Sequence, residues 1–209
     1  DVASVIIPQY GLDDTVFQKH AELLVPVVQE TGAAALIVDN SRVAGRVKAD
    51  GLHVSGNAAI LAEEVEKHTP KLIVGGGNAM DRHHALEIGE TQPDYIFFGK
   101  IDGDIKPEAH SKNVALGEWW SSMIEIPCMV KDGTSVDEVE ASLGKRQGLG
   151  VAVHRVVVRH QGVDGAVGQT LAQRIAVALL AQRRLHPKTA VVVTHVHVGQ
   201  VQVVHADVA

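Results

Sequence analysis

Short, unbroken apolar runs alternate with helix-patterned segments along this chain, and that alternation limits the fold more than any other feature. Strands are expected at Ala3–Pro8, Ala34–Asp39, Gly51–Val54, Leu72–Gly75, Tyr95–Phe98, Pro127–Val130 and Gly150–His154. Their apolar residues run on without a polar alternate, as in strands of a parallel sheet covered on both faces. Helices are expected at Asp13–Gln29, Asn57–His68, Ala79–Ile88, Ser135–Leu143 and Val163–Leu185. In the first of these, Val16, Ala21, Leu24, Val27 and Val28 recur close to the 3.6-residue period, with Asp13 or Asp14 placed to cap it. Strand and helix patterns that keep exchanging predict repeated βα units.

Several of the runs end on polar residues. Leu36-Ile37-Val38 ends on Asp39-Asn40, Gly51–Val54 on Ser55-Gly56-Asn57, and Tyr95–Phe98 on Gly99-Lys100. Parallel strands deliver the residues past their carboxyl ends to one rim, where such folds bind ligands. Asp39, Asn40, Ser55, Asn57, Gly77 and Gly99 are therefore expected at a shared mouth. Asp39 reads either as a metal or phosphate-side ligand or as an Asx cap on the segment Ser41–Val47. Gly75-Gly76-Gly77-Asn78 reads either as backbone close to a ligand or as a plain βα turn. His53, flanked by Leu52 and Val54, reads as a core histidine before a ligand. The connection Gly99–Gly117 is expected to be a long loop, and such loops are usually functional.

With 209 residues, one well-buried domain is expected. The net charge of −6 and 3% aromatic content supply neither a phosphate-tracking surface nor stacking platforms, so nucleic acid is not an expected partner. No apolar run approaches the roughly 20 residues that span a bilayer, and no signal-peptide pattern is present, so a cytoplasmic protein without membrane partners is expected. Cys128, the one cysteine, sits in a strand and reads as a buried thiol. His83-His84 project in different directions on a helix, and His195-Val196-His197 has no third ligand at dependable spacing. The chain enters directly on a strand, which suggests that a first βα unit is missing from it.

In order along the chain, several segments resemble the thiamine phosphate synthase and thiazole tautomerase family. Ala49-Asp50-Gly51-Leu52-His53-Val54 is similar to that family's A-D-G-[VI]-H-L strand, and Pro93–Gly99 to its A-D-Y-[VI]-x-x-G strand. Leu36–Asn40 is similar to L-I-[IV]-N-D, Ile126–Gly133 to I-P-V-V-A-I-G-G, and Gly150–Arg155 to G-V-A-V-I-S. The resemblance implies a (β/α)8 TIM barrel over residues 1–185, with 186–209 as a Val/His-rich extension. Alternation in Val191–Val204 reads as an exposed hairpin or edge strand, open to pairing with a second copy of the chain or to filling a gap in the barrel.

The resemblance also implies an activity: joining a hydroxymethylpyrimidine pyrophosphate to a thiazole phosphate, with release of pyrophosphate, in thiamine biosynthesis. Departing pyrophosphate calls for Mg2+, cations and backbone N–H groups. The implied site has Lys106 as the catalytic cation, Asp39 as metal ligand, and Gln9, Asn40, Ser55, Gly77, Gly133, Val153 and His154 against small phosphorylated substrates. The chain departs from the family pattern in places. Its Gln9-Tyr10-Gly11-Leu12-Asp13 stands where the family has Q-x-R-x-K, its Asp39-Asn40 inverts N-D, and Ser55-Gly56-Asn57-Ala58 lacks the second Mg2+ carboxylate. Two alternatives follow: a thiazole tautomerase-like enzyme, or a barrel that binds a thiazole or thiamine phosphate without turnover.

Overall fold

The computed structural model describes residues 2–101, 110–131, 151–154 and 190–193. Eight strands are present among them: β1 (Val2–Ile7), β2 (Ala34–Val38), β3 (Gly51–Val54), β4 (Ile73–Gly77), β5 (Tyr95–Phe98), β6 (Cys128–Lys131), β7 (Val151–His154) and β8 (Ala190–Val193). Five helices accompany them: α1 (Asp14–Glu30), α2 (Ser41–Val47), α3 (Ala58–His68), α4 (Arg82–Glu90) and α5 (Ser111–Met123). Each strand pairs in parallel with the next, and β8 pairs with both β7 and β1, so the curled sheet returns on itself.

Polar side chains set the starts of the helices. Asp13, Asn40, Asn57 and Asp81 each accept backbone N–H groups from the first turn of α1, α2, α3 and α4. Such caps stabilise a helix by about 1 kcal/mol each. Two further aspartates brace the opposite end of the sheet. The Asp50 carboxylate accepts Ala35 N–H at 2.8 Å, and Asp94 accepts Val74 N–H at 2.7 Å. These acids, which precede β3 and β5, thereby lock each strand onto its neighbour.

Apolar side chains fall into two layers. Between sheet and helices, Val5, Ile7 and Ile37 pack with Phe17, Leu24 and Val43, and Val74, Ile96 and Phe98 pack with Leu61, Ile88 and Trp120. On the inner side of the sheet, Ile6, Leu36, Val38, Tyr95 and Phe97 form a separate cluster. The period-2 pleat explains the split, because neighbouring residues of a strand face opposite sides.

Four expectations are corrected. The place beside β1 that was left for a preceding strand is taken by β8, which pairs Val2 with Val191 and Val5 with Val193. Ala190–Val193 is therefore flanked on both sides, which agrees with the gap-filling alternative and overturns the exposed edge. The expected loop Gly99–Gly117 ends inside α5, whose Leu116, Gly117 and Trp120 are buried one turn apart. The strand expected at Leu72–Gly75 runs on to Gly77, because the inner and outer neighbours of β4 are large and fill the space that its glycines leave. The expected helices at Ser135–Leu143 and Val163–Leu185 lie outside the described residues.

Candidate functional site at the carboxyl ends of the strands

The parallel direction of the sheet brings Gln9, Asp39, Asn40, Ser55, Asn78, Lys100 and Lys131 to the carboxyl ends of their strands. Two hydrogen-bonded seams run along this rim. The first joins β1, β2 and β3. Gln9 Nε2 donates to Asp14 Oδ1 at 3.0 Å and to the Leu12 carbonyl at 2.6 Å, while Asn40 Nδ2 donates to Gln9 Oε1 at 3.2 Å. Asn40 also donates to Asp14 Oδ1, at 3.2 Å, and its own Oδ1 accepts Val43 N–H at 3.0 Å. Arg42 forms an ion pair with Asp14. The Gln9 hydrogen bond first, then the Arg42 charge, holds the Asp14 carboxyl below its ordinary range.

Asp39 belongs to the same seam. Its φ of 52° lies in the left-handed region, which Asp tolerates better than most residues, and it turns the chain out of β2. Its side chain accepts Ser55 N–H at 2.7 Å, which leaves the capping of α2 to Asn40. Asp39 is exposed and Ser55 half-buried at the rim. Asn57 caps α3 by accepting Ile60 N–H at 3.1 Å.

Beneath the rim lies a buried polar pair. His53 Nδ1 and Tyr95 Oη are 2.8 Å apart, and the His53 ring meets Phe97 edge-on with centroids at 5.2 Å. Burial pushes the imidazole down to about 3, so His53 is neutral, and the same burial raises the Tyr95 phenol. A core histidine is what the strand pattern predicted. Gly75 and Gly77 complete this layer. A Cβ on Gly75 would fall 2.0 Å from the Tyr95 ring, and one on Gly77 would fall 3.0 Å from Phe97. Both glycines thus make room for rings of β5. Cys128 is buried, and its thiol is pushed up to about 11 by desolvation.

The second seam joins β5 and β6. Lys131 Nζ donates to the Lys100 carbonyl at 2.7 Å and to the Ile101 carbonyl at 2.9 Å. Sequence reading overlooked both Lys131 and the Asp14–Arg42 pair. A signal for Lys131 existed, since it continues the inward parity of Met129; nothing local ties Asp14 to Arg42. On β7, Val153 pairs with Lys131 of β6 and His154 with Val193 of β8, while Lys106 and Gly133 lie outside the described residues.

Polar groups gathered at the carboxyl ends of a parallel α/β sheet mark the rim at which folds of this class bind small molecules. The family described as thiamine monophosphate synthase matches residues 1–157, and the chain belongs to that family. A thiamine-phosphate synthase of Erythrobacter litoralis (strain HTCC2594) is 29% identical over 171 residues, covering 80% of this chain and 79% of the relative. One of Rhodospirillum centenum (strain ATCC 51521 / SW) is 30% identical over 139 residues, covering 66% and 67%. In fold, the chain is similar to the solved thiamine phosphate pyrophosphorylase of Pyrococcus furiosus, with a TM-score of 0.50, 16% identity, and coverage of 86% of this chain and 97% of that one. No helix among the described residues is long and apolar enough to cross a membrane.

Proposed function

We propose that this chain is a cytoplasmic thiamine-phosphate synthase, a transferase that joins a hydroxymethylpyrimidine pyrophosphate to a thiazole phosphate and releases pyrophosphate. The family match over residues 1–157 carries the reading. The rim supports it, because Gln9, Asn40, Asp39 and Ser55 form one hydrogen-bonded seam across three strand ends. A (β/α)8 barrel is part of the proposal, with its first seven strands within residues 1–185 and its eighth, β8, supplied by the extension 186–209. Its partners are small phosphorylated molecules, with neither nucleic acid nor membrane among them.

In this reading the pyrimidine substrate lies against Gln9, Asn40, Ser55 and Gly77. The thiazole phosphate rests on backbone amides near Gly133, Val153 and His154. As the carbon–oxygen bond to pyrophosphate breaks, negative charge builds on the departing oxygen, and Lys106 meets it. Mg2+ would neutralise further charge on the pyrophosphate when bound. That ion keeps several waters and takes one or two carboxylates plus substrate phosphates. The described residues hold no group of three His, Cys, Asp or Glu, and Asn57 is committed to its cap. In this reading Asp39, exposed at the rim, would be the protein's ligand, and the substrate's phosphates would supply the rest.

Incubation of the pure chain with both substrates and Mg2+ tests the reading, with formation of thiamine phosphate expected. No product beside an active control enzyme would discard it. A second reading, a tautomerase-like enzyme or a thiazole phosphate binder, is favoured by one observation: Gln9 Nε2 is turned onto Leu12 and Asp14, and no cation follows it before Asp13. Calorimetric binding of thiazole phosphate without synthase turnover would select it.

A further inference from the structure

We propose that Lys131 is a positioning residue of the mouth, holding the chain where it leaves β5 in a fixed place beside the end of β6. Lys131 is two residues beyond Met129, which packs against the inner cluster of Ile6, Leu36, Tyr95 and Phe97. Residues two apart on a strand share a face, so Lys131 projects to that same inner side. It is 3% exposed, and a lysine is almost never so buried unless its charge is met.

The ammonium is met by two consecutive carbonyls, those of Lys100 and Ile101. Both belong to the segment just past β5, which has turned through Gly99 at a φ of 131°. Burying an ammonium loses hydration, and fixing its long stem loses rotamer freedom. An apolar side chain would fill the same space with less of either loss. What the lysine adds is geometry: charge-assisted hydrogen bonds that orient two successive peptide groups at the rim. The inference rests on the synthase reading, in which this mouth receives two phosphorylated substrates.

The test uses Lys131→Met, which keeps length and removes the donors, with Lys131→Gln as the second variant should the first fail to fold. Lys131→Arg keeps a charged donor. In the Met variant, amide hydrogen exchange at Gly99–Ile101 is expected to accelerate by at least about tenfold, while exchange in α3 stays within about twofold. KM for at least one substrate should rise by about fivefold or more with kcat little changed, and the Arg variant should recover part of that loss. Unchanged exchange at Gly99–Ile101, or a smaller rise in both KM values, overturns the assignment. Should the wild-type chain make no thiamine phosphate, the synthase reading fails by itself, and the exchange measurement alone decides the role of Lys131.

Discussion

The Asp39 carboxylate accepts the backbone N–H of Ser55 at 2.7 Å, while Asp39 N–H donates to the His53 carbonyl at 3.0 Å. One residue thus ties the end of β2 to the end of β3 through both its side chain and its backbone. Asp39→Asn keeps an oxygen that can accept from Ser55 but removes the charge. The Mg2+ concentration for half-maximal thiamine phosphate formation is expected to rise by at least about tenfold, with stability changed by less than about 1 kcal/mol. A Mg2+ titration of the variant checks this, and an unshifted midpoint would remove Asp39 from the metal.

The buried His53 predicts a pH dependence of stability. Its pKa is lowered from 6.5 to about 3 in the fold, so between those values the unfolded chain binds a proton that the native chain does not. Stability therefore rises with pH in that window and is lost as pH falls below 6.5. The slope attributable to this one group approaches about 1.4 kcal/mol per pH unit. Urea unfolding at several pH values measures it. The double variant His53→Phe, Tyr95→Phe should flatten the slope, whereas an equally steep slope in that variant assigns the dependence to other groups.

Gly75→Ala should destabilise the fold, since its new methyl would overlap the Tyr95 ring at 2.0 Å. Overpacking of this kind costs about 1–3 kcal/mol. Tyr95→Leu should recover part of that cost in the double variant, so the two changes will not add. Additive losses in denaturant unfolding would place the strain somewhere other than this pair.

Asp94→Ala removes the acceptor of Val74 N–H at the start of β5. An unmet backbone donor there costs about 1–3 kcal/mol. Because Asp94 sits at the end of the sheet opposite the mouth, kcat and both KM values of the folded fraction should stay within about twofold of wild type. Thermal unfolding and steady-state rates on the same samples separate the two effects, and a large KM change would contradict a purely bracing role.

The continuous apolar runs made β1 through β7 legible, because strands buried on both faces leave a mark that needs no partner to read. Rim placement of Asp39, Asn40 and Ser55 followed from strand direction alone. Helix α5 was hidden because Ser111, Asn113, Gly117, Ser121 and Ser122 dilute its buried face to Leu116, Gly117 and Trp120. The extent of β4 was missed because three successive glycines resemble a turn, and only the bulk of Tyr95, Leu61 and Phe97 explains them as strand. Alternation in Val191–Val204 made a strand legible there, with gap filling among its options, but β1 lies nearly the whole chain away, and no local pattern encodes so distant a pairing. Lysine at a strand end reads as solvated, so the inward parity that Lys131 shares with Met129 was passed over, and its carbonyl partners brought it out.

The glycines of β4 have a consequence for how ligand preference could be re-engineered. Since Tyr95 and Phe97 occupy the volume that Gly75 and Gly77 vacate, room beneath the rim is governed from β5, one strand over from where a search for spacious positions would begin. Trimming Phe97 would open space beneath the rim, whereas enlarging Gly77 would first collide with Phe97. A selectivity campaign should thus randomise the aromatic strand and leave its permissive neighbour untouched.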